Sequence, residues 1–200
     1  MLGRLEVICG CMFSGKTEEL LRRVERARIA KKRVLVLKPA LDTRYALEEV
    51  VTHYGRAIPC HRLPREASWH SLEEAAGEEL AEAEVVAFDE VHFFGPQFPA
   101  LCERLVRQGK RVIVAGLDLN WRGEPFGSMP ALLALADEVV KLQAVCVVCG
   151  KPATRSQRLV GGKPAREGPE IVVGGLESYQ ARCRDCFVPP SQGLPFEKEG

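Results

Sequence analysis

A doubly wound α/β fold, with a mainly parallel sheet and a small cysteine-bearing C-terminal module, is what three features of this 200-residue sequence predict. Apolar runs at 5–9, 33–37, 85–88, 111–117 and 138–142 alternate with helical runs at 18–30, 72–81, 99–108 and 130–136, the rhythm of successive βαβ units. The strand runs are apolar at adjacent positions, as strands covered on both faces are, so ligands are expected at their carboxyl ends. Two C-x-x-C pairs between 146 and 186 then mark a separate module after residue 143. A chain of this length buries roughly 70% of its unfolded surface and needs no staple to fold.

The first strand, 5–9, runs directly into Gly10, Cys11, Met12, Phe13, Ser14, Gly15, Lys16 and Thr17, which fit G-x-x-x-x-G-K-[ST]. Because an amphipathic helix follows, consecutive loop N–H groups and a helix N-terminus converge on one point and can hold the phosphates of a nucleoside triphosphate. Lys16 would reach the β- and γ-phosphates. The Thr17 hydroxyl would sit on the accompanying Mg²⁺, a hard ion that takes few protein ligands. A glycine-rich turn without ligand is the alternative.

Residues 39–59 are polar and poorly periodic, as are 151–175 apart from a possible hairpin, and both are candidate mobile loops. Between them, the strand at 85–88 ends in Asp89 and Glu90, at the sheet edge where the phosphate loop is expected. Side chains alternate along a strand, so the two carboxylates take different directions. Asp89 would hold Mg²⁺ through water and Glu90 would accept a proton from the group that attacks the γ-phosphate. A solvated Asp-Glu turn is the alternative. The tail from 188 carries three prolines and two glycines and is expected to be disordered.

Lys and Arg number 28 against 27 for Asp and Glu, a formal charge of +1, with no basic block of the kind that tracks a nucleic-acid backbone. Nucleic acid is therefore not the expected main partner. The chain reaches its first strand within five residues and has no apolar stretch of the ~18–20 residues that span a bilayer. No membrane partner is expected, and the cytoplasm is the expected compartment.

Of eight cysteines, Cys9, Cys11, Cys60 and Cys102 are scattered, whereas Cys146, Cys149, Cys183 and Cys186 can supply four thiolates to one structural Zn²⁺. The 33 residues between the pairs make the metal-closed loop long. A redox-active C-x-x-C is the competing reading, although neither pair opens a helix after a strand. Together these features leave two function classes. One is a small-molecule kinase, in which a loop tied by zinc excludes water from the γ-phosphate. The other is a small ATPase with a zinc module, stimulated by nucleic acid, which the neutral charge balance disfavours.

The ordered set 11–17, Asp42-Thr43-Arg44-Tyr45, Phe88-Asp89-Glu90, Gly116-Leu117-Asp118, Pro125-Phe126-Gly127, 141–146 and 174–179, with both cysteine pairs, resembles the type II thymidine kinases over residues 5–187. The resemblance implies a P-loop, RecA-like domain at 1–143 and a zinc and lasso domain at 144–187. It implies Mg-dependent transfer of the γ-phosphate of ATP to the 5′-hydroxyl of thymidine, and of deoxyuridine, in nucleotide salvage by a homotetramer. Glu90 then matches the general base, Gly10 to Thr17 with Asp89 the nucleotide contacts, and Asp42 and Arg44 a segment reaching the phosphates. Arg44 has a physical rationale as a fixed fork of donors on phosphoryl oxygens. Met12, Leu117, Trp121, Phe126 and Tyr179 match the base pocket, and backbone at Glu170, Ile171, Val172, Val173 and Gly174 the part of the lasso that reads the base. Each of the apolar four could be plain core. Trp121 stands where the family usually has phenylalanine, and His92 where it usually has glutamine.

Overall fold

The computed structural model describes residues 3–40, 49–51, 57–171 and 178–190. Asp42, Arg44, Val172, Val173, Gly174 and the tail from 191 onward lie outside the described residues. In chain order the elements are β1 (Arg4–Gly10), α1 (Lys16–Ile29), β2 (Val34–Pro39), β3 (Glu49–Val51), β4 (Ala57–Pro59), β5 (His61–Leu63), α2 (Trp69–Glu82) and β6 (Val85–Phe88). Then follow α3 (Phe98–Arg107), β7 (Arg111–Gly116), α4 (Met129–Leu135), β8 (Glu138–Leu142), β9 (Ala144–Val145), β10 (Pro152–Ala153), β11 (Arg155–Val160), β12 (Lys163–Pro164) and β13 (Tyr179–Arg182).

A six-stranded sheet in the order β5-β2-β6-β7-β1-β8 carries the fold, and its first five strands run parallel. All five strands and four helices expected from the hydrophobic pattern are present. Strand β5 was not expected, because His61-Arg62-Leu63 has no apolar repeat, and it prolongs the sheet beyond β2. Within the stretch 39–59, β3 and β4 pair antiparallel. Helix α2 begins at Trp69, three residues earlier than its apolar pattern, because Ser68 caps it: the Ser68 hydroxyl accepts the Ser71 N–H while the Ser71 hydroxyl accepts the Ser68 N–H. Helices α3 and α4 carry a proline in their first turn, where its missing N–H costs nothing.

The pleat sorts each buried strand onto two faces. Leu5, Val7, Leu35, Leu37, Val86, Phe88, Val112 and Val114 pack with Leu72 and Leu80 of α2, Phe98, Leu101 and Leu105 of α3, and Met129 and Leu132 of α4. The alternate residues face α1, which buries Leu20, Leu21 and Val24. At ~25 cal/mol per Å² of apolar surface, burial on both faces is the main force holding the sheet together. Phe88 meets Phe98 edge-on with ring centroids 5.1 Å apart, and Phe94 stacks on Phe98 at 4.4 Å, which anchors the end of β6 just before its two carboxylates.

At the opposite end of the sheet Glu6 is buried and ion-paired with Arg4 (2.9 Å), Arg23 of α1 (2.5 Å) and Arg111 of β7 (2.6 Å), while Arg23 also reaches Glu19 and Glu138. Burial pushes the Glu6 pKa up, but the hydrogen bonds from Arg111 and Arg23 and the charges of Arg111 and Arg4 more than offset this and hold it below 4.5. Replacing Glu6 by Gln should cost about 3 kcal/mol in denaturant unfolding at pH 7, the low end for a broken buried pair, since Arg4 and Arg111 keep water access. A carboxylate whose pKa folding lowers stabilises above its ordinary value and loses that contribution as pH falls through the folded value. The gap between wild type and E6Q should therefore be full at pH 7 and narrow in acid.

Candidate active site and metal centre

The described residues divide into two compact units, one drawn from 3–9, 16–116 and 127–140, the other from 10–15, 117–126 and 141–190. In the first, the Thr17 hydroxyl at the start of α1 donates to Asp89 Oδ2 at 2.9 Å, and the Glu90 N–H donates to Asp89 Oδ1 at 2.9 Å. The parallel register explains the meeting: β1 and β6 both flank β7 and end on the same side, with Val7 and Phe88 each level with Val114. Glu90 adopts a left-handed conformation, φ 52° and ψ 37°, directly after the strand, which a residue other than glycine rarely holds without compensation from its surroundings.

Asp89 is buried, and burial pushes its pKa up against the opposing pull of the Glu90 N–H, the Thr17 hydroxyl and the charges of Lys16 and Lys38. The Glu90 side chain keeps solvent access, yet protein atoms crowd it. Lost hydration, then the neighbouring Asp89 charge, push its pKa up to about 7. A carboxylate poised near neutrality can take a proton from a hydroxyl group and release it again. His92, which stands where the family usually has glutamine, is buried. Its pKa lies well below 6.5 through burial and the charge of Lys16, so it is neutral at pH 7. Gly116 makes room for it, since a Cβ there would stand 3.2 Å from His92 Nδ1.

In the second unit the loop Gly10–Gly15 is held from behind. Gly10 has φ 144°, and a Cβ on it would come within 2.4 Å of the Leu142 carbonyl oxygen, so the first glycine of the motif has no substitute. Phe13 (φ 65°) and Gly15 (φ 83°) turn the loop. The Ser14 hydroxyl donates to the Cys11 carbonyl at 2.7 Å, the Met12 N–H donates to the Ser156 hydroxyl at 3.0 Å, and the Cys11 thiol to the Ala153 carbonyl at 3.3 Å. Ser156 and Ala153 had no signal in the sequence; their contacts with the loop span more than a hundred positions.

The segment 117–126 is closed by a bridge between Leu119 and Pro125 and by the Phe126 N–H donating to the Asp118 carbonyl at 3.1 Å. Trp121 and Tyr179 are buried together with Ala165, and Met12 packs against them. Three of the expected base-pocket residues thus form one apolar cluster. Phe126 is buried and Leu117 half-buried on the same segment. Glu170 is exposed and Ile171 half-buried. The expected hairpin is present as β11 and β12, and β13 pairs with the other side of β11.

The sulfurs of Cys146, Cys149, Cys183 and Cys186 all lie within 4.8 Å of one another, and Cys149 Sγ is 3.6 Å from Cys183 Sγ. A tetrahedral ion with bonds of about 2.3 Å to sulfur sets its ligands about 3.8 Å apart, so the set fits a single zinc, with one ligand pair from each knuckle. A redox pair would not require the two knuckles to converge. Burial opposes ionisation of the Cys146 thiol, yet the backbone N–H groups of Cys183, Val148 and Cys149 aimed at its sulfur lower its pKa to about 6.

The family model described as thymidine kinase matches residues 3–187. A thymidine kinase of Coprothermobacter proteolyticus is 54% identical over 198 residues, covering 98% of this chain and 96% of that protein. A thymidine kinase of Chloroflexus aurantiacus is 50% identical over 191 residues, covering 94% and 95%. With a family match over nearly the whole chain and relatives at half identity or better, this chain belongs to the thymidine kinase family.

Proposed function

We propose that the protein is a thymidine kinase that transfers the γ-phosphoryl group of ATP to the 5′-hydroxyl of thymidine, yielding dTMP, and accepts deoxyuridine as well. The observation that carries the chemistry is geometric: the Thr17 hydroxyl at the start of α1 meets the Asp89 carboxylate, and Glu90 follows directly in a left-handed turn after β6. Family membership and the relatives' names support the choice of substrate.

In this reading the N–H groups of residues 10–15 and the ammonium of Lys16 hold the phosphates, and Lys16 balances charge as it spreads over the transferring oxygens. Thr17 and Asp89 would hold Mg²⁺, which draws charge from the phosphate oxygens. The hydroxyl of Thr17 donates its proton to Asp89 and keeps a lone pair to offer a cation. Glu90 accepts the 5′-hydroxyl proton as the oxygen attacks. Met12, Trp121 and Tyr179 offer apolar and aromatic surface to a methylated pyrimidine, with Leu117 and Phe126 on the same segment, while Glu170, Ile171, Val172, Val173 and Gly174 read the base and Asp42 and Arg44 reach the phosphates. His92, neutral and buried, is given no part in proton transfer.

The proposal keeps 1–143 as the ATP-handling domain, 144–187 as the zinc and lasso module and 188–200 as a tail. Family resemblance supports a homotetrameric, cytoplasmic enzyme of nucleotide salvage that acts without nucleic acid; no helix among the described residues is long and apolar enough to cross a membrane.

Incubation with γ-labelled ATP and Mg²⁺ in parallel with thymidine, deoxyuridine, deoxycytidine, single-stranded DNA or no acceptor should label thymidine most and release little phosphate without acceptor. Hydrolysis stimulated by DNA alone would replace the kinase with an ATPase. Elemental analysis should find one zinc per chain in the wild type and a loss of zinc in the Cys183→Ser protein, with a lowered melting temperature. Full zinc in the C183S variant would remove Cys183 from the site.

A further inference from the structure

Asn120-Trp121-Arg122 grips Gly168-Pro169-Glu170 one residue on one residue. The Arg122 guanidinium (Nη2) donates to the Gly168 carbonyl at 2.7 Å, the Trp121 indole N–H to the Pro169 carbonyl at 2.9 Å, and the Asn120 amide to Glu170 Oε1 at 3.1 Å. The two tripeptides run in opposite directions, so the contacts form a short ladder made by side chains on one strand of it. Asn120 is itself fixed: its side-chain oxygen accepts the N–H groups of Arg122 and Glu124, and its amide also donates to Glu124. The indole is flanked by two cations, Arg122 and Arg158, whose guanidinium carbons lie 5.3 and 5.2 Å from the ring centroid, within the range of attraction to an aromatic face. Arg158 passes so close to Gly168 that a Cβ there would meet its Nη1 at 2.3 Å, and that nitrogen is buried without a hydrogen-bond partner among the described residues.

We propose that this clamp sets the backbone of 168–170 before any nucleoside arrives, and that the Trp121 indole N–H is its specific element. The inference rests on the reading of Glu170 and the residues after it as the base-recognising segment. Phenylalanine at 121 would keep a ring against Ala165 and Tyr179 but has no donor for the Pro169 carbonyl, which would then have to find water. A segment that is already ordered loses less freedom when a ligand binds. Trp121 thus acts on affinity through Pro169, as a positioning residue, in addition to any contact of its ring with the base. The clamp's hydrogen bonds run to 168–170, whereas Met12 of the phosphate loop meets Trp121 by packing, so the larger effect belongs to the nucleoside.

The test uses the full-length protein with Trp121→Phe, which preserves most of the buried area, and Arg122→Gln as a milder second variant that removes the Gly168 contact. Amide exchange without ligand should speed up over 165–171 in both. The thymidine KM should rise about 3- to 10-fold in W121F, the scale of one net hydrogen bond, a larger factor than the change in kcat or in the ATP KM. R122Q should shift the thymidine KM in the same direction by a smaller factor. Unchanged exchange over 165–171 in both variants would overturn the clamp even with a raised thymidine KM in W121F, whose ring is also proposed to meet the base, as would a fall in kcat accompanied by a rise in the ATP KM. Failure of the wild type to use thymidine would instead count against the substrate reading, and the exchange measurement would still decide the clamp.

Discussion

The hydrogen bond from the Thr17 hydroxyl to the Asp89 carboxylate joins segments 72 positions apart in sequence, and the rest of the phosphate chemistry depends on it. It exists because β1 and β6 run parallel on either side of β7 and stop at the same edge. Apolar burial on both faces of the sheet holds that register, since a slip by one residue would reverse which side chains meet each layer of helices. With Asp89 fixed by Thr17 and by the Glu90 N–H, the chain turns through a left-handed residue and brings Glu90 out beside it. Lost hydration around Glu90, and after it the charge of the adjacent Asp89, raise the Glu90 pKa into the range a general base requires.

The phosphate loop has a second dependence, on the cysteine-bearing part of the chain. Cys11 packs with Cys146 and Cys183 as well as Ala144, Ala153 and Ala181, and Met12 leans on Ser156 through its backbone N–H. A loop that must present its N–H groups to phosphate in strained conformations needs such support, because Phe13 at φ 65° has no glycine's freedom. The cysteine cluster is therefore more than a closure for the residues between its two knuckles: its hydrophobic surroundings are shared with the loop proposed to hold the phosphates.

Much of this was legible in the sequence where chemistry and local pattern coincide. The glycines, Lys16 and Thr17 are bound to their positions by the motif; Asp89 and Glu90 follow a four-residue buried strand; the two C-x-x-C pairs announce their own convergence. Other features left no local mark. Strand β5 is three residues with an arginine at the centre and is stabilised by its neighbour β2, not by its own propensity. Helix α2 starts earlier than its apolar repeat because two serines cap each other where a capping glutamate would have been the clearer signal. Ser156, Ala153, Ala165 and the ladder between 120–122 and 168–170 depend on contacts between distant segments, and a hydrogen bond to a backbone carbonyl places no demand on residue type that a reader of the sequence could see. Trp121 was visible as a base-pocket match and as a departure from its family; the indole N–H bonded to Pro169 gives that departure a physical content.

The proposed phosphoryl transfer turns on Glu90 as the group that takes the proton. The direct measurement is the Glu90→Gln variant, with thymidine and ATP affinities from calorimetry and turnover from labelled phosphate transfer. If Glu90 takes the proton, affinities stay close to those of the wild type and turnover falls by about 10² or more, the scale of a lost positioned base. Turnover within a few fold of wild type, or a loss of affinity equal to the loss of turnover, would contradict it.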